Sequence, residues 1–594
     1  MSLQDFSSIT SLISSAISSK PKARSWPTLG PTIGSDESLI KIRGWDSSCQ
    51  VSHKYCNLNR GRDAFSRLGT NTFFPTRVID VERVNDGIIS LRHKAEVAVQ
   101  SSIEKDKYPV YWTLSHRWGN TNNMPRLLKD TESRLREGVS LDRLPPIDRT
   151  WPAFRDAALL VKRLGYRYLW IDSLCIFQDS ESEWQREASM MVDIYRHSYC
   201  NISAISSSHD PANHGLFGRR RLPERLFYPV KVNMAGHLQW LRCDPRWEGE
   251  VQETPLNRRG WVVQERFLST RTIYFAKNQI FWECLEETNS ESQRGSKASL
   301  WLGDFDDDGD RLHCGKSAVL NFHKLKERAS KPYIRLPWKG DILSEIYREW
   351  GYIVGYYMTC GLTKESDRLI AISGIAKAFQ EATGDTYLAG LWKSALYSGL
   401  IWHAFSTTSD RIRRHEHAPS WSWASLTKCN VHISCSVPDS QDISCIKLVE
   451  ERIVPKALDG DSFGQLQSAE LEIECMVCYL RLERADERIQ KAWVYHDEAR
   501  TRCCFEGDSD ILIFYDTSDS YEDFRRKKRR KANFLLTFIP IHRRGYNRVF
   551  FSLVLEYKAN NKFKRVGRMQ WKLLDNQVSF IDEWAGQKSR IVLI

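Results

Sequence analysis

Tyr168-Leu-Trp-Ile-Asp-Ser-Leu-Cys-Ile-Phe-Gln-Asp179 is the stretch on which the fold turns. Its first four residues are apolar and β-prone and read as a short buried strand. Asp172 and Ser173 then open a polar turn, and a helix-like segment carrying Trp184 and Glu187 follows. An open α/β sheet carries its functional groups in this setting, at the carboxyl ends of its strands. Upstream, Phe154, Ala157, Ala158, Val161 and Leu164 recur at helical spacing, and Gly165 marks a helix end. Downstream, Trp184, Glu187, Ala188, Met191 and Tyr195 share one helical face, and 201–205 reads as the next strand. Together with a strand over 110–115, this alternation predicts an α/β fold with a mostly parallel sheet that holds all three strands.

Working outward, residues 1–70 read as a Ser-rich tail and lead-in, and 71–290 as the α/β domain. In it, 78–81 and 88–91 are short strands on either side of Asn85-Asp-Gly87, a hairpin signal. A helix is predicted over 127–137. A hairpin pairs 273–275 with 279–282. Residues 291–417 form a helical segment, with helices over 342–357, 369–379 and 387–403. From 418 to 594 the chain is β-rich, with strands over 471–480, 511–515, 533–541 and 549–557.

The chain has 594 residues, 41% of them hydrophobic, enough for several cores. Its 21 Trp recur inside the motif segments, and its 15 Cys show no disulfide spacing. With no secretory signal and no apolar run near the ~20 residues of a membrane helix, the reading is a cytoplasmic protein with reduced thiols. The net charge of +12 is uneven, because seven cations lie in Arg525-Arg-Lys-Lys-Arg-Arg-Lys531. That run reads as a solvated loop between strands, with nuclear import as the competing reading; nucleic acid is not an expected partner.

Two further segments stand beside the first: Tyr111-Trp-Thr-Leu-Ser-His-Arg-Trp-Gly119 and Arg259-Gly-Trp-Val-Val-Gln-Glu-Arg266. The three, in this order, resemble the motifs of the fungal heterokaryon-incompatibility (HET) domain. Thr363-Lys-Glu-Ser-Asp-Arg-Leu-Ile-Ala-Ile-Ser-Gly374, Ala389-Gly-Leu-Trp392 and Ala418-Pro-Ser-Trp-Ser-Trp423 also look like pieces of that family's members. The resemblance implies a Toll/interleukin-1 receptor (TIR)-like, flavodoxin-like core and a role in non-self recognition and programmed cell death. The domain would then act as a self-associating signalling module with protein partners. The alternative implied by the TIR likeness is an enzyme that cleaves NAD or a related nucleotide, with NAD as substrate and no resident cofactor. Some TIR domains do so with a Glu that follows a Trp by a few residues, which here is Trp184-Gln-Arg-Glu187.

The chemistry of such a site would need a carboxylate to stabilise an oxocarbenium-like state and an aromatic to stack on a base. Glu187 and Trp184, three apart, share a helix face. Glu187 could equally satisfy backbone donors while Trp184 packs in the core. Asp172 ends a strand, where it could meet a ligand or cap its own turn. Cys175 could be a nucleophile with His116 as base, or a small buried hydrophobe. Arg117 could hold a phosphate or pair with Asp172 or Glu187. Ser115, Trp118 and Gln178 line the same strand ends. Gln264 and Glu265, beside Trp261 and Arg266, could complete a site or latch the fold.

No metal is expected. Gly309-Asp-Arg-Leu-His-Cys-Gly-Lys-Ser317 has one residue too many for a phosphate loop, and the calcium-like start at Asp304 lacks its twelfth-position Glu. Cys475-Met-Val-Cys478 falls in one predicted strand without a second pair. Cys49, His53 and Cys56 show no fourth ligand in the sequence.

Overall fold

A computed structural model describes residues 29–594 apart from several short stretches and the longer ones 58–69, 221–229, 293–338, 434–442, 524–532 and 573–587. The basic run at Arg525, the phosphate-loop likeness at Gly309 and the calcium-like start at Asp304 lie outside the described residues. The chain divides into two compact units. The first holds residues 1–258 and 268–301, the second 259–267 and 302–594.

The first unit is built on a nine-stranded mixed sheet. Its strands are β1 (Arg77–Asp80), β2 (Ile88–His93), β3 (Tyr111–Ser115), β4 (Val139–Ser140), β5 (Tyr168–Trp170), β6 (Asn201–Ser203), β7 (Arg271–Phe275), β8 (Ile280–Cys284) and β9 (Thr288–Ser290). The order across the sheet is β9-β8-β7-β6-β3-β5-β1-β2-β4. The central four, β7-β6-β3-β5, are parallel, with Tyr111 opposite Tyr168 and Thr113 opposite Asn201. Antiparallel hairpins flank them on both sides. The strands expected at 110–115, 168–171 and 201–205 are thus neighbours in one sheet. Every residue of β3, β5 and β6 is buried, as strands covered on both faces must be.

Helix α2 (Pro152–Arg163) starts with proline at its first turn and buries Phe154, Ala157, Leu160 and Val161. Gly165, at φ 92°, carries the chain out of it toward β5. A four-residue turn of helix, α3 (Asp172–Cys175), follows β5. Helix α4 (Glu181–Arg196) has Glu181 and Glu183 in its first turn, where carboxylates meet the positive helix end, and buries Ala188, Met191, Val192 and Tyr195. The predicted helix over 127–137 is shorter, Glu132–Glu137, because Leu127 bridges to Phe177 in parallel β fashion instead.

The lead-in is more ordered than its composition suggests. Helix α1 (Asp36–Ser52) buries Leu39, Ile42 and Cys49. Ser38 donates to Glu291 Oε1 at 2.6 Å, and Arg220 holds the same carboxylate at 2.7 and 2.8 Å.

The second unit joins helices to an eleven-stranded sheet formed from residue 443 onward, the expected β-rich region. Helices α5 (Gly260–Leu268), α6 (Lys339–Met358) and α7 (Ser373–Thr383) belong to it. The expected helix over 387–403 is instead a tight hairpin, Tyr387–Leu388 with Leu391–Trp392, followed by a short helix, Leu396–Leu400. Apolar spacing there imitates a helix, but Ala389 (φ 45°) and Gly390 (φ 103°) turn the chain back. The strand expected over 471–480 is two strands, Leu466–Cys475 and Cys478–Ala485.

The tryptophans of the flanking motifs, Trp392, Trp421 and Trp423, are fully buried together with Trp350 and Trp402. Trp350 and Trp423 both donate to the Gly390 carbonyl, at 3.1 and 2.8 Å, and Trp402 donates to Trp421 O at 2.9 Å. A buried ion pair sits beside them. Arg565 grips Asp516 with Nε and Nη2 at 2.9 and 3.0 Å and stacks 3.5 Å from the Trp402 ring.

Candidate functional site

The parallel quartet sets the geometry. From β3 the chain goes to β5 on one side, then crosses back to β6 on the other, so the strand order reverses beside β3. An open sheet leaves its crevice at the carboxyl ends of such strands. There β3 releases His116, Arg117 and Trp118, and β5 releases Asp172.

Three of these converge. Trp118 Nε1 donates to Asp172 Oδ2 at 2.9 Å, and His116 Nδ1 lies 3.5 Å from Asp172 Oδ1. The same Oδ1 accepts the Ser173 backbone N–H at 2.7 Å, so Asp172 also caps its own turn. His116 is buried, edge-on to the Phe154 ring of α2 at 4.8 Å. Arg117 is exposed on the same loop. Gln178 ties the turn down: its Nε2 donates to Ile176 O at 2.9 Å and Asp172 O at 3.3 Å, and its backbone N–H to Leu127 O.

Ser115 points into the sheet. Its Oγ exchanges hydrogen bonds with the Asn201 side chain on β6, which also accepts from Thr113 Oγ1 at 3.0 Å. These three polar groups lie at the heart of the parallel quartet and satisfy one another there.

Glu187 faces inward from α4 and is 1% exposed, while Trp184 is half-buried one turn before it. Burial raises the Glu187 carboxyl above its ordinary range, against the opposing pull of a Thr76 hydrogen bond and the Arg77 and Arg186 guanidiniums. Arg186 Nη2 stands 3.6 Å from Glu187 Oε1. Arg77, at the start of β1, is the residue that motif reading missed. It is buried, donates to Cys175 O at 2.9 Å, pairs with Glu183 and lies 4.5 Å from the Phe177 ring. The Phe73-Phe-Pro-Thr-Arg77 lead into β1 was its only sequence signal.

Cys175, buried in the turn after β5, feels Arg77, Asp172 and Glu187. Burial pushes its thiol up to about 12, so at neutral pH it is a small apolar group and no thiolate nucleophile.

The third motif belongs to the other unit. Gln264 Oε1 accepts the Gly374 backbone N–H at 2.8 Å and so caps the first turn of α7. Trp261 hydrogen-bonds the Asp367 carboxylate, and Gly260 N–H reaches Gly361 O at 2.9 Å. Glu265 and Arg266 are buried on the same helix. These contacts fasten α5 to the segment that ends in Ser373-Gly374.

Residues 111–265, which begin at β3 and run through the motif turn into α5, match the family model of the heterokaryon incompatibility protein (HET). The chain carries a HET domain. That domain links the protein to heterokaryon incompatibility. No curated protein and no solved structure matches the chain. Among the described residues, no helix is long and apolar enough to cross a membrane. Within the HET domain the first two motifs meet through Trp118 and Asp172, whereas Glu187 lies with Arg77 and Arg186.

Proposed function

We propose that this protein works in heterokaryon incompatibility as a self-associating signalling module that triggers a cell-death response. The observation that supports this reading is the use made of Asp172. Its carboxylate faces Trp118, His116 and the Ser173 N–H, all within the domain. Gln178 likewise serves the turn, and Ser115 serves Asn201. Polar motif residues that hold two loops together fix the shape of a surface, which is what a partner or a second copy recognises.

A second reading, cleavage of NAD or a related nucleotide, is favoured by one observation. Glu187 Oε1 is buried and without a hydrogen-bond partner among the described residues, one turn from Trp184. A carboxylate held this way could stabilise a developing cation.

One set of measurements separates the two. The full chain is expressed from an inducible promoter, and growth, NAD content and the mass of the purified protein by light scattering are followed together. The signalling reading expects growth arrest with NAD unchanged and a concentration-dependent oligomer. Arrest that tracks NAD loss, from a protein that stays monomeric, would replace it with the enzymatic one.

A further inference from the structure

We propose that Cys49, His53, Cys56 and Cys284 bind a zinc ion that pins the lead-in helix to the sheet. Three of these residues lie within eight positions of sequence, and the fourth, 231 residues beyond His53, is supplied by the fold. Cys49 sits in the last turn of α1, His53 directly follows it, Cys56 lies in the next short turn, and Cys284 ends β8.

The separations suit a closed four-ligand site. The four ligand atoms all lie within 4.8 Å of one another. His53 Nδ1 is 3.3 Å from Cys284 Sγ and 3.7 Å from Cys56 Sγ. Bond lengths of about 2.3 Å to sulfur and about 2.0 Å to nitrogen require sulfur–nitrogen edges of roughly 3.5 Å around a tetrahedral ion. The cysteines are 0%, 3% and 2% exposed, so water does not compete for the position. Four protein ligands and no open corner mark a structural centre, and the thiolate-rich set selects zinc over the hard cations.

The surroundings match as well. His53 Nε2, the nitrogen turned away from the sulfurs, is 3.5 Å from Glu287 Oε2. A carboxylate in this place holds a ligating imidazole in the right tautomer. Arg271, 1% exposed, directs Nε to Cys49 Sγ at 3.1 Å. It forms a long ion pair with Asp46, 3.9 Å away. Three thiolates and a divalent ion sum to one negative charge, which is what a buried guanidinium needs beside it. Three neutral thiols would leave it far less compensated. Binding would release the three thiol protons.

The test uses the full chain, purified under reducing conditions without chelator. We expect zinc in a one-to-one ratio to protein, and cobalt exchanged for it should give the charge-transfer and ligand-field bands of a tetrahedral thiolate site. Cys284→Ser should lose the metal and Glu287→Gln should weaken it about 10- to 100-fold. Cys429→Ala, which alters a buried cysteine of the second unit, should change neither. Should Cys284→Ser fail to fold, the zinc content and cobalt spectrum of the unaltered chain still decide. The proposal is overturned if that chain holds no metal above background after exposure to zinc and cobalt. A cobalt spectrum lacking thiolate bands, or disulfides among the three cysteines in the reduced preparation, would overturn it too.

Discussion

Trp118 donates its indole N–H to Asp172 at 2.9 Å, and this bond joins the loops that leave two neighbouring parallel strands. The two residues are 54 positions apart in sequence. Asp172 is also the acceptor for its own turn and lies 3.5 Å from the buried His116. The two HET motifs are therefore one structural unit, and altering either partner should be felt by both.

Asp172→Ala should destabilise the first unit by about 1–3 kcal/mol, since it leaves the indole and the Ser173 N–H without their acceptor. Trp118→Phe should cost less of polar origin but remove the same bond. In a double-mutant cycle read by urea denaturation, the two should couple by about 1 kcal/mol. Strict additivity would mean that the bond contributes nothing.

Cys175 should behave as a core residue. With its thiol pushed up to about 12, it should resist iodoacetamide in the native protein at neutral pH and react once the chain is unfolded. Cys175→Ala should keep any growth-arrest activity. Rapid native alkylation at this position, located by peptide mass mapping, would contradict the burial that sets its chemistry.

In the second unit, Gly390→Ala should be costly. The position has φ 103°, and an added Cβ would stand 2.8 Å from Trp423 Nε1. Strain of this kind costs about 1–3 kcal/mol before the clash is counted. Arg565→Met should cost about 3 kcal/mol or more, because Asp516 stays buried and, among the described residues, keeps Arg414 alone as an ion-pair partner. Arg565→Lys should not rescue it, as an ammonium cannot reproduce the two-pronged grip or the stacking on Trp402. Thermal melts of the three variants check both points.

Local periodicity made the parallel core legible. The apolar runs of β3, β5 and β6 and the stripe of α2 carry their environment in their composition. The hairpin at Tyr387 did not, because the left-handed backbone at Ala389 and Gly390 leaves the spacing of the flanking apolar residues looking helical. Long-range pairings were equally hidden. Arg77 reads as an ordinary strand residue until the fold sets it against Cys175 and Glu183. Asp172, by contrast, could be placed at a strand end from sequence, though which of its two readings applied depended on a tryptophan 54 residues upstream.

Glu187→Gln is the most informative substitution. The buried carboxyl is raised above its ordinary range by burial, so the folded state holds its proton more tightly than the unfolded chain does. Its contribution to stability is therefore full below the unfolded-state value and is lost as pH rises through the higher folded-state value. The neutral amide removes that loss. The variant should differ from the parent by no more than about 1 kcal/mol at neutral pH. The gap between the two stability curves should shift in favour of the amide as pH climbs out of the acid range. Arg77 keeps Glu183 and the Cys175 carbonyl, so the substitution strands no buried cation. Under the signalling reading, growth arrest should persist at equal soluble protein level, with cellular NAD unaltered. Loss of arrest by a folded variant, together with NAD consumption by the parent that the variant lacks, would move Glu187 from packing to catalysis.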